Sequence, residues 1–429
     1  MISKKIRLSN FSRALASMSD CFRPDNEAQI VKILTMYAKN GVLARGNASS
    51  YSDCCLNDQG LVIDTSRLNH LLSFDETTGI LICQGSVSFA DLFLIHPDFI
   101  PPVIPGTLKA TVAGGIANDI HGKNNHQQGC FGDHVQWLDL ALGNQSYRCD
   151  RETNSELFFA TIAGLGLTGF IKLIAIKLRK ASSFVTTHSE QYYAWEPLVE
   201  RMQTKGCDYD YQVAWLDLLN EPRALLSFAN HCEGWEIKEK KTHTIPKLPL
   251  RLINSWSMKQ FNSLFFNYKP RSEQIMSLPQ FNNPLDSILQ WNRLYGKNGL
   301  LQFQAVFAQQ TALSTIEQLI LIIREKKATP TLAVLKYFTK KGSGLLSFAQ
   351  PGFTLAIDFI NNYSARQAIK AMNEWISQTG GKIYLAKDLY LNKEQFRQQY
   401  DNNDEFSKLL KKYQPKMCSN LSKRLGINL

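Results

Sequence analysis

Four stretches rich in glycine, serine and threonine lie within residues 45–169 and have the composition of phosphate-binding loops. Small residues let successive backbone N–H groups turn inward around an anion, and hydroxyl groups add donors. None carries the Gly-Lys-Ser/Thr of a P-loop, and none opens a strand–GxGxxG–helix unit. One such stretch alone is usually a tight turn, but the set predicts a large diphosphate cofactor held by several loops. The stretches are residues 45–53, 105–107, 111–115 and 164–169.

The histidines and cysteines do not indicate a metal site or a disulfide framework. His121, His126 and His134 are close in sequence, but no carboxylate or cysteine completes a convincing ligand set with them. The nine cysteines form no CxxC pair, and Cys54 and Cys55 are adjacent. Free thiols are therefore expected, and no metal is predicted.

Regular elements must hold the phosphate-binding stretches, and hydrophobic periodicity predicts where these elements lie. Prolines at positions 101, 102 and 105 exclude a helix just before the second stretch. In this first part of the chain, strands are predicted at residues 42–44, 61–64, 80–85 and 170–178, and helices at residues 30–37, 89–95 and 156–164.

The later part of the chain is richer in aromatic residues and irregular connections. Residues 237–276 are basic and aromatic, and they are predicted to be loop-like. The composition favours an α+β protein in which a cofactor domain precedes a substrate domain. The predicted elements are a strand region at 208–219, a helix at 311–326, strands at 331–338 and 353–360, a helix at 365–379, a strand at 382–388 and helical segments to the end.

The overall composition is that of an ordinary globular protein with a basic surface. The 429 residues include 48 Lys and Arg against 37 Asp and Glu, a net charge of +11. This excess fits a merely basic surface or attraction to an anionic cofactor or substrate; nucleic-acid binding ranks last because no recognised motif accompanies the charge. No apolar run reaches membrane-spanning length and no signal peptide is recognised, so we expect a cytoplasmic protein, at most peripheral at the inner face of the cell membrane.

The glycine-rich stretches resemble the FAD-binding segments of the vanillyl-alcohol-oxidase superfamily, the PCMH-type flavoproteins. Further motifs resemble the decaprenylphosphoryl-β-D-ribose 2′-oxidase family within that superfamily, and the match spans the chain from about Asn10 onward. The motifs are DIHGKN at 119–124, Asn57 with GLVID at 60–64, FGDHV at 131–135, PLD at 284–286 with WNRLYG at 291–296, LQFQ at 301–304, VLK at 334–336 and YLAKD at 384–388.

The resemblance implies a fold and a reaction. The fold is a PCMH-type FAD-binding domain formed by both chain ends, residues 1–180 and 381–429, with a central α+β substrate domain that has an antiparallel sheet at residues 181–380. The reaction is hydride transfer from a ribose C2′ to flavin N5, which gives a 2′-keto sugar on a polyprenyl phosphate. A separate NAD(P)H-dependent reductase would complete the 2′-epimerisation of this cell-wall polysaccharide precursor.

The resemblance also assigns roles to side chains. Lys387 matches the essential lysine of the family, which either stabilises negative charge on the reduced ring or assists deprotonation of the hydroxyl, and both roles stay open. Tyr51 and His121 are the other catalytic candidates. The substrate-binding candidates are Gln302, Gln304, Trp215 and Lys336, the last as a phosphate ligand. The cofactor-binding candidates are Arg45, Gly46, Asn47, Ala48, Ser49, Ser50, Tyr51, Ser52, Asp53, Pro105, Gly106, Thr107, Thr111, Val112, Gly114, Gly115, Asn118, Asp119, His121, Lys123, Asn124, Gly166, Thr168, Gly169, Ile171 and Tyr384.

Several positions depart from the patterns of relatives. Ser49 stands where relatives with covalent FAD have a histidine, so non-covalent FAD is predicted. Ala356 replaces the pocket cysteine of the family, Thr354 an asparagine and Asn282 a tyrosine. These changes bear on the substrate more than on the reaction. An aldonolactone or alditol oxidase of a soluble sugar is therefore an alternative, and an FAD-binding protein without turnover is another.

Residues 237–276 have three interpretations. They form an ordinary solvated loop, a mobile lid, or a contact with anionic lipid in which Trp256, Phe261 and Phe265 lie at the interface. A polyprenyl-phosphate substrate would require the third interpretation, in which the protein contacts the lipid.

Overall fold

The structure is a computed structural model that describes residues 2–36, 38–234, 242–246, 253–268 and 273–427. Its strands are β1 (Lys4–Ser9), β2 (Ala16–Phe22), β3 (Val42–Arg45), β4 (Leu61–Asp64), β5 (Leu71–Asp75), β6 (Ile80–Gln84), β7 (Phe99–Ile100), β8 (Val135–Leu142), β9 (Gln145–Asp150), β10 (Phe170–Lys177), β11 (Arg179–Lys180), β12 (Phe184–Tyr192), β13 (Tyr211–Asp217), β14 (Arg223–His231), β15 (His243–Thr244), β16 (Gln274–Ser277), β17 (Ile288–Leu289), β18 (Leu300–Phe307), β19 (Pro330–Phe338), β20 (Gly352–Ile360) and β21 (Lys382–Ile383).

The α-helices lie between these strands and after the last of them. They are α1 (Glu27–Thr35), α2 (Phe89–Leu92), α3 (Val112–Ala117), α4 (Asn125–Gln128), α5 (Ser155–Thr161), α6 (Trp195–Gln203), α7 (Ser255–Tyr268), α8 (Leu278–Asn282), α9 (Ala312–Glu325), α10 (Tyr363–Gln378), α11 (Lys393–Gln399), α12 (Asn403–Tyr413) and α13 (Asn420–Leu425).

The described residues form three large sheets and two two-stranded sheets, β11-β7 and β15-β17. The first has four strands in the order β1-β2-β4-β3, and its β2–β4 and β3–β4 pairs are parallel. The second has five antiparallel strands in the order β5-β6-β10-β8-β9. The third has eight antiparallel strands in the order β16-β12-β14-β13-β19-β20-β18-β21. The prediction of a mixed α+β protein with an antiparallel sheet in the central part of the chain is confirmed.

The first sheet positions the first phosphate-binding stretch. Asn26 is the N-cap of helix α1, and its side chain accepts a hydrogen bond from the N–H of Gln29. The helix buries Ile30, Ile33 and Leu34 at helical spacing. These side chains pack in one cluster with residues of the first two sheets. This packing holds strand β3 in place. The loop of residues 45–53 follows from the end of β3 and runs into the short helical turn Asp53–Cys55.

The eight-stranded sheet has one face against helices and one face toward a cavity. Helices α9 and α10 pack their apolar stripes on the first face, where Leu335, Leu355 and Phe359 are buried. Because side chains alternate between the two faces of a strand, the intervening positions of the same strands point to the opposite face. That face carries polar residues, and it forms part of the site described below.

The C-terminal residues return to the first sheet. The N–H of Val42 donates to the carbonyl of Lys416, and the N–H of Cys418 donates to the carbonyl of Val42. The guanidinium of Arg424 is ion-paired with Asp53 and Asp388 at 2.8 Å from each. These contacts connect the last helix with the first loop and with the residue that follows Lys387.

Most elements predicted from periodicity are confirmed within one to three residues, and two predictions are wrong. Residues 255–268 form a helix, not a loop, because Met258, Asn262 and Phe266 recur at helical spacing and are buried. Strand β15 and most of strand β16 also fall in the range predicted to be loop-like. The strand predicted at 382–388 ends at Ile383, because the N–H groups of Lys387 and Asp388 both turn back to the carbonyl of Tyr384. Tyr37, at the end of the predicted first helix, and residues 237–241, 247–252 and 269–272 of the predicted loop lie outside the described residues.

Candidate active site

A cavity of about 1190 Å³ extends from the first phosphate-binding stretch, across the polar face of the eight-stranded sheet, to helix α7. It brings together most of the residues predicted to bind cofactor or substrate. Those that line it are Arg45, Gly46, Asn47, Ala48, Ser49, Ser50, Tyr51, Pro105, Gly106, Thr107, Thr111, Gly114, Asn118, His121, Lys123, Gly166, Gly169, Ile171, Trp215, Gln302, Gln304, Lys336, Tyr384 and Lys387.

Seven predicted cofactor-binding residues do not line the cavity; they lie behind its wall and are buried. Some of them support the loops: Ser52 caps the turn at Asp53–Cys55, and Asp119 accepts hydrogen bonds from the N–H of Gly132 and the hydroxyl of Ser347. The seven residues are Ser52, Asp53, Val112, Gly115, Asp119, Asn124 and Thr168.

The first loop presents a row of unused backbone donors to the cavity. Within the described residues, the N–H groups of residues 46–50 donate to no other group. Ala48 has a positive φ of 50°, which helps to turn the loop around the space in front of it. On the other walls, nothing lies within 4 Å of where a Cβ would stand on Gly106 or Gly166, so the backbone is open to a close-fitting ligand there.

Lys387 lies on the turn that follows β21, and backbone hydrogen bonds fix that turn to the first loop. The N–H groups of Tyr51 and Ser52 both donate to the carbonyl of Ala386. The Lys387 Nζ lies 3.8 Å from the centre of the Tyr51 ring. Burial and, to a lesser extent, the nearby charge of Lys336 lower the pKa of Lys387 to about 7, although Asp358 acts in the opposite direction.

Asp358 is a cavity residue that the sequence analysis did not select. It is 1% exposed, and its carboxylate accepts a hydrogen bond from the side chain of Gln302 on the neighbouring strand β18. Burial raises the pKa of Asp358 to about 6. The signal in the sequence was a single carboxylate in the apolar strand LAIDFI, where alternation places it on the same face as Ala356.

His121 is buried next to Gln304 at the end of the same polar face. The Gln304 Nε2 lies 3.0 Å from the His121 Nε2 and 3.2 Å from the Thr354 hydroxyl. Burial, together with the charges of Lys336 and Lys387, lowers the pKa of His121 well below its usual value. The His121 Nδ1 is buried and has no partner among the described residues. A neutral imidazole is therefore held at the cavity wall.

His126 and His134 do not join His121 in a metal site. The His126 Nε2 contacts the carbonyl of Tyr209 at 2.7 Å, and the His134 Nε2 contacts the carbonyl of Gln128 at 2.8 Å. Across the described ranges of the chain, no three His, Cys, Asp or Glu side chains gather around a point that could hold a metal ion.

Lys336 and Trp215 lie on neighbouring strands of the eight-stranded sheet, and both line the cavity. Trp215 on β13 pairs with Val334 on β19, and Lys336 lies two residues farther along β19 on the same face. Burial lowers the pKa of Lys336 to about 8. Its ammonium group makes no hydrogen bond or ion pair within the described residues, so it is available to an anion in the cavity.

Residues 281–286 connect the cofactor loops to the substrate side of the cavity. The carboxylate of Asp286 accepts hydrogen bonds from the Thr107 hydroxyl and the Leu108 N–H, both at 2.8 Å. The Asn283 side chain donates to the carbonyl of Pro105, and the Lys123 Nζ donates to the carbonyl of Phe281. Asn282, a position that departs from the family pattern, also lines the cavity and is 6% exposed.

The residues present fit FAD. The free N–H groups of residues 46–50 and the open backbone at Gly106 and Gly166 provide the donors and the space that a diphosphate needs. Tyr384, whose hydroxyl donates to the carbonyl of Asn118, connects the end of helix α3 to the turn that carries Lys387. Residues of this cradle and of the polar sheet face line the same cavity, and a flavin ring would meet a substrate at that face.

Comparison with known proteins supports this assignment. A family model described as an FAD binding domain matches residues 21–147. The chain is 29% identical to decaprenylphosphoryl-β-D-ribose oxidase of Mycolicibacterium smegmatis over 98% of this chain and 97% of that protein. It is 32% identical to an uncharacterised oxidoreductase of Rhodococcoides fascians over 36% of each chain. It is 26% identical to cytokinin dehydrogenase 10 of Oryza sativa subsp. japonica over 39% of this chain and 33% of that one. None of the helices in the described residues is long and apolar enough to cross a membrane.

Proposed function

On the premise that this chain is a decaprenylphosphoryl-β-D-ribose-oxidase-like FAD oxidoreductase, we propose that it oxidises the 2′-hydroxyl of a polyprenyl-phosphoryl pentose to a ketone. One observation carries this proposal. The Lys387 Nζ, which has no hydrogen-bond partner among the described residues, faces the same cavity as the unused N–H groups of residues 46–50. A bound flavin and a titratable amine would therefore meet in one enclosed space.

Lys387 acts on the proton of the substrate hydroxyl. FAD, when bound, supplies the two-electron acceptor for the hydride that leaves the sugar carbon. With a pKa of about 7, Lys387 is neutral in a substantial fraction of molecules at neutral pH, and its Nζ can accept the hydroxyl proton. Charge stabilisation and deprotonation are both compatible with the sequence, and the lowered pKa of Lys387 favours deprotonation.

The surrounding polar groups orient the sugar. Gln304 is held by the Thr354 hydroxyl and by His121, and Gln302 is held by Asp358, so both amides have fixed positions on the sheet face. Tyr51 covers one side of Lys387 and limits access of water to its amine. Lys336 stays cationic below a pH of about 8 and binds the phosphate of the substrate.

The same proposal includes the binding mode of FAD and the domain arrangement. FAD is held non-covalently, because Ser49 has no nucleophilic ring nitrogen to form a link. The FAD-binding domain consists of residues 1–180 and 381–429, and residues 181–380 form the substrate domain. The contacts of Arg424 with Asp53 and of Cys418 with Val42 support an FAD domain built from both chain ends.

The proposal includes a partner enzyme and a contact with the cell membrane. A separate NAD(P)H-dependent reductase would reduce the keto sugar and complete an epimerisation at C2′. Helix α7 would lie against the inner face of the cell membrane, where the lipid substrate is found. The exposure of Trp256 at 72% and Leu264 at 70% supports this second part, since such large apolar side chains favour an interface.

A soluble-sugar oxidase is the second candidate. Ala356, Thr354 and Asn282 all lie at or next to the cavity wall, so the changed positions surround the substrate. Anaerobic mixing of the purified yellow protein with polyprenyl-phosphoryl ribose, and separately with aldonolactones and alditols, tests both. Bleaching of the flavin absorbance by the ribosyl lipid alone is the expected result. Bleaching by the free sugars alone would favour the second candidate.

A further inference from the structure

We propose that the end of the cavity beneath helix α7 is a binding site for the isoprenoid chain of the substrate. This inference rests on the proposed function and adds to it the place where the lipid part is held. Its basis is the position of apolar side chains on two facing surfaces, the eight-stranded sheet and helix α7.

The sheet provides the floor of this site. Val213 and Trp215 lie two residues apart on β13 and so point to the same face, and Leu225 pairs directly with Trp215 from the neighbouring strand. Val334 pairs with Trp215 from the other side. All four side chains line the cavity, and none of them carries a charge.

Helix α7 provides the roof. Met258, Phe261 and Phe265 line the cavity and recur at the spacing of one helix face. The Phe265 ring lies 5.0 Å from the Trp215 ring, and the Phe261 ring lies 5.9 Å from the Phe265 ring. Roof and floor therefore meet through aromatic contacts, and a slender apolar chain beside them would have apolar surface on both sides.

The cavity also opens to solvent at helix α7. Phe261 lines the cavity although its side chain is 53% exposed, so the cavity opens to solvent beside it. A long isoprenoid chain needs such an opening, because the cavity of about 1190 Å³ must also accommodate FAD and the sugar.

The order of residues across the sheet matches the order of groups in the substrate. One row of paired residues runs from Trp215 through Val334 and Ala356 to Gln304. With strands about 4.8 Å apart, this row spans roughly 14 Å. A pentose near Gln304 and Lys387 would place its phosphate toward Lys336, which follows Val334 on the same face, and the lipid would begin beside Trp215.

The experiment compares methylphosphoryl-β-D-ribose with farnesylphosphoryl-β-D-ribose as substrates of the FAD-loaded protein. Because buried apolar surface stabilises the complex, the farnesyl compound should have a KM lower by about tenfold or more, with a similar kcat. Phe265→Ala, and independently the space-filling change Val213→Phe, should remove most of this difference. Gln260→Ala is the matched control, since Gln260 lies on the same helix, is exposed and does not line the cavity.

A second readout separates this inference from the proposed function. Farnesyl phosphate carries no sugar to oxidise, and its binding is followed by isothermal calorimetry. Binding that both variants weaken and Gln260→Ala preserves would support the lipid site even if no ribosyl phosphate reduced the flavin. Oxidation of both substrates with equal KM, or farnesyl phosphate binding that both folded variants leave unchanged, would overturn it.

Discussion

The Nζ of Lys387 lies 3.8 Å from the centre of the Tyr51 ring, and the carbonyl of Ala386 accepts the N–H of Tyr51 itself. The segment that carries the amine is therefore hydrogen-bonded directly to the first cofactor loop, although 336 positions separate Lys387 from Tyr51 in the chain. A change in the loop that binds the cofactor would also move the group that we propose takes the substrate proton.

Replacement of Lys387 by alanine should abolish substrate oxidation without loss of FAD. Removal of a proton acceptor costs about 100-fold or more in the rate of flavin reduction, whereas the N–H groups of residues 46–50 remain in place. Stopped-flow absorbance measures the rate, and the visible spectrum reports bound FAD. Lys370→Ala is the control, because Lys370 lies over the Tyr390 ring at 5.9 Å but is exposed on α10. Wild-type reduction by the Lys387 variant would refute its catalytic role.

The pH dependence of kcat/KM should be bell-shaped. Lys387 must lose its proton to act as a base, so the rate should rise as pH passes about 7. Lys336 must keep its proton to hold a phosphate, so the rate should fall as pH passes about 8. Initial rates with the ribosyl lipid between pH 5 and 10 measure the profile. Lys336→Met should lower kcat/KM and lose the alkaline limb; a variant that retains that limb would show that another group causes it.

The sequence indicated which glycine-rich loops line the cavity, but it did not single out every polar group on the sheet face. The loops are defined by local composition, and each of the four predicted stretches contributes residues to the cavity wall. Asp358 was missed because its importance depends on pairing between β18 and β20, which brings Gln302 to it from 56 residues away. Strand register of that kind is decided by tertiary packing and leaves little trace in one sequence.

Helix α7 shows a second reason why a prediction from the sequence was wrong. The stretch 237–276 is basic overall, and the helical spacing of Met258, Asn262 and Phe266 is confined to a short part of it. Asn262 is a polar residue on the buried side, where its amide donates to Asp217 at 2.7 Å. A polar residue that is satisfied only by a distant carboxylate breaks the apolar pattern by which an amphipathic helix is recognised.

FAD should leave the protein on denaturation. Ser49 occupies the position at which covalently linked relatives carry a histidine, so no bond to the isoalloxazine is expected. Acid precipitation followed by centrifugation tests this: the flavin should be found in the supernatant, in about equimolar amount to the protein. A yellow pellet, or a fluorescent protein band after denaturing electrophoresis, would contradict non-covalent binding.

Replacement of Arg424 by methionine should destabilise the protein and weaken FAD binding. The guanidinium donates two hydrogen bonds to the Asp53 carboxylate and one to the Asp388 carboxylate, and these two residues are 4% and 3% exposed. Loss of one partner from a buried ion pair leaves an uncompensated charge and costs about 3–5 kcal/mol. Chemical denaturation measures the free energy of unfolding, and Arg397→Met, at an exposed position on α11, is the control.

A double variant distinguishes buried charge from lost packing. If the uncompensated carboxylates cause the loss, Arg424→Met combined with Asp388→Asn should recover part of the free energy of unfolding, because one of the two buried charges is then removed. FAD affinity should recover with it, since Asp388 directly follows Lys387 in the turn that holds Tyr51. A double variant no more stable than Arg424→Met alone would assign the effect to the lost side-chain contacts of Arg424 and not to charge.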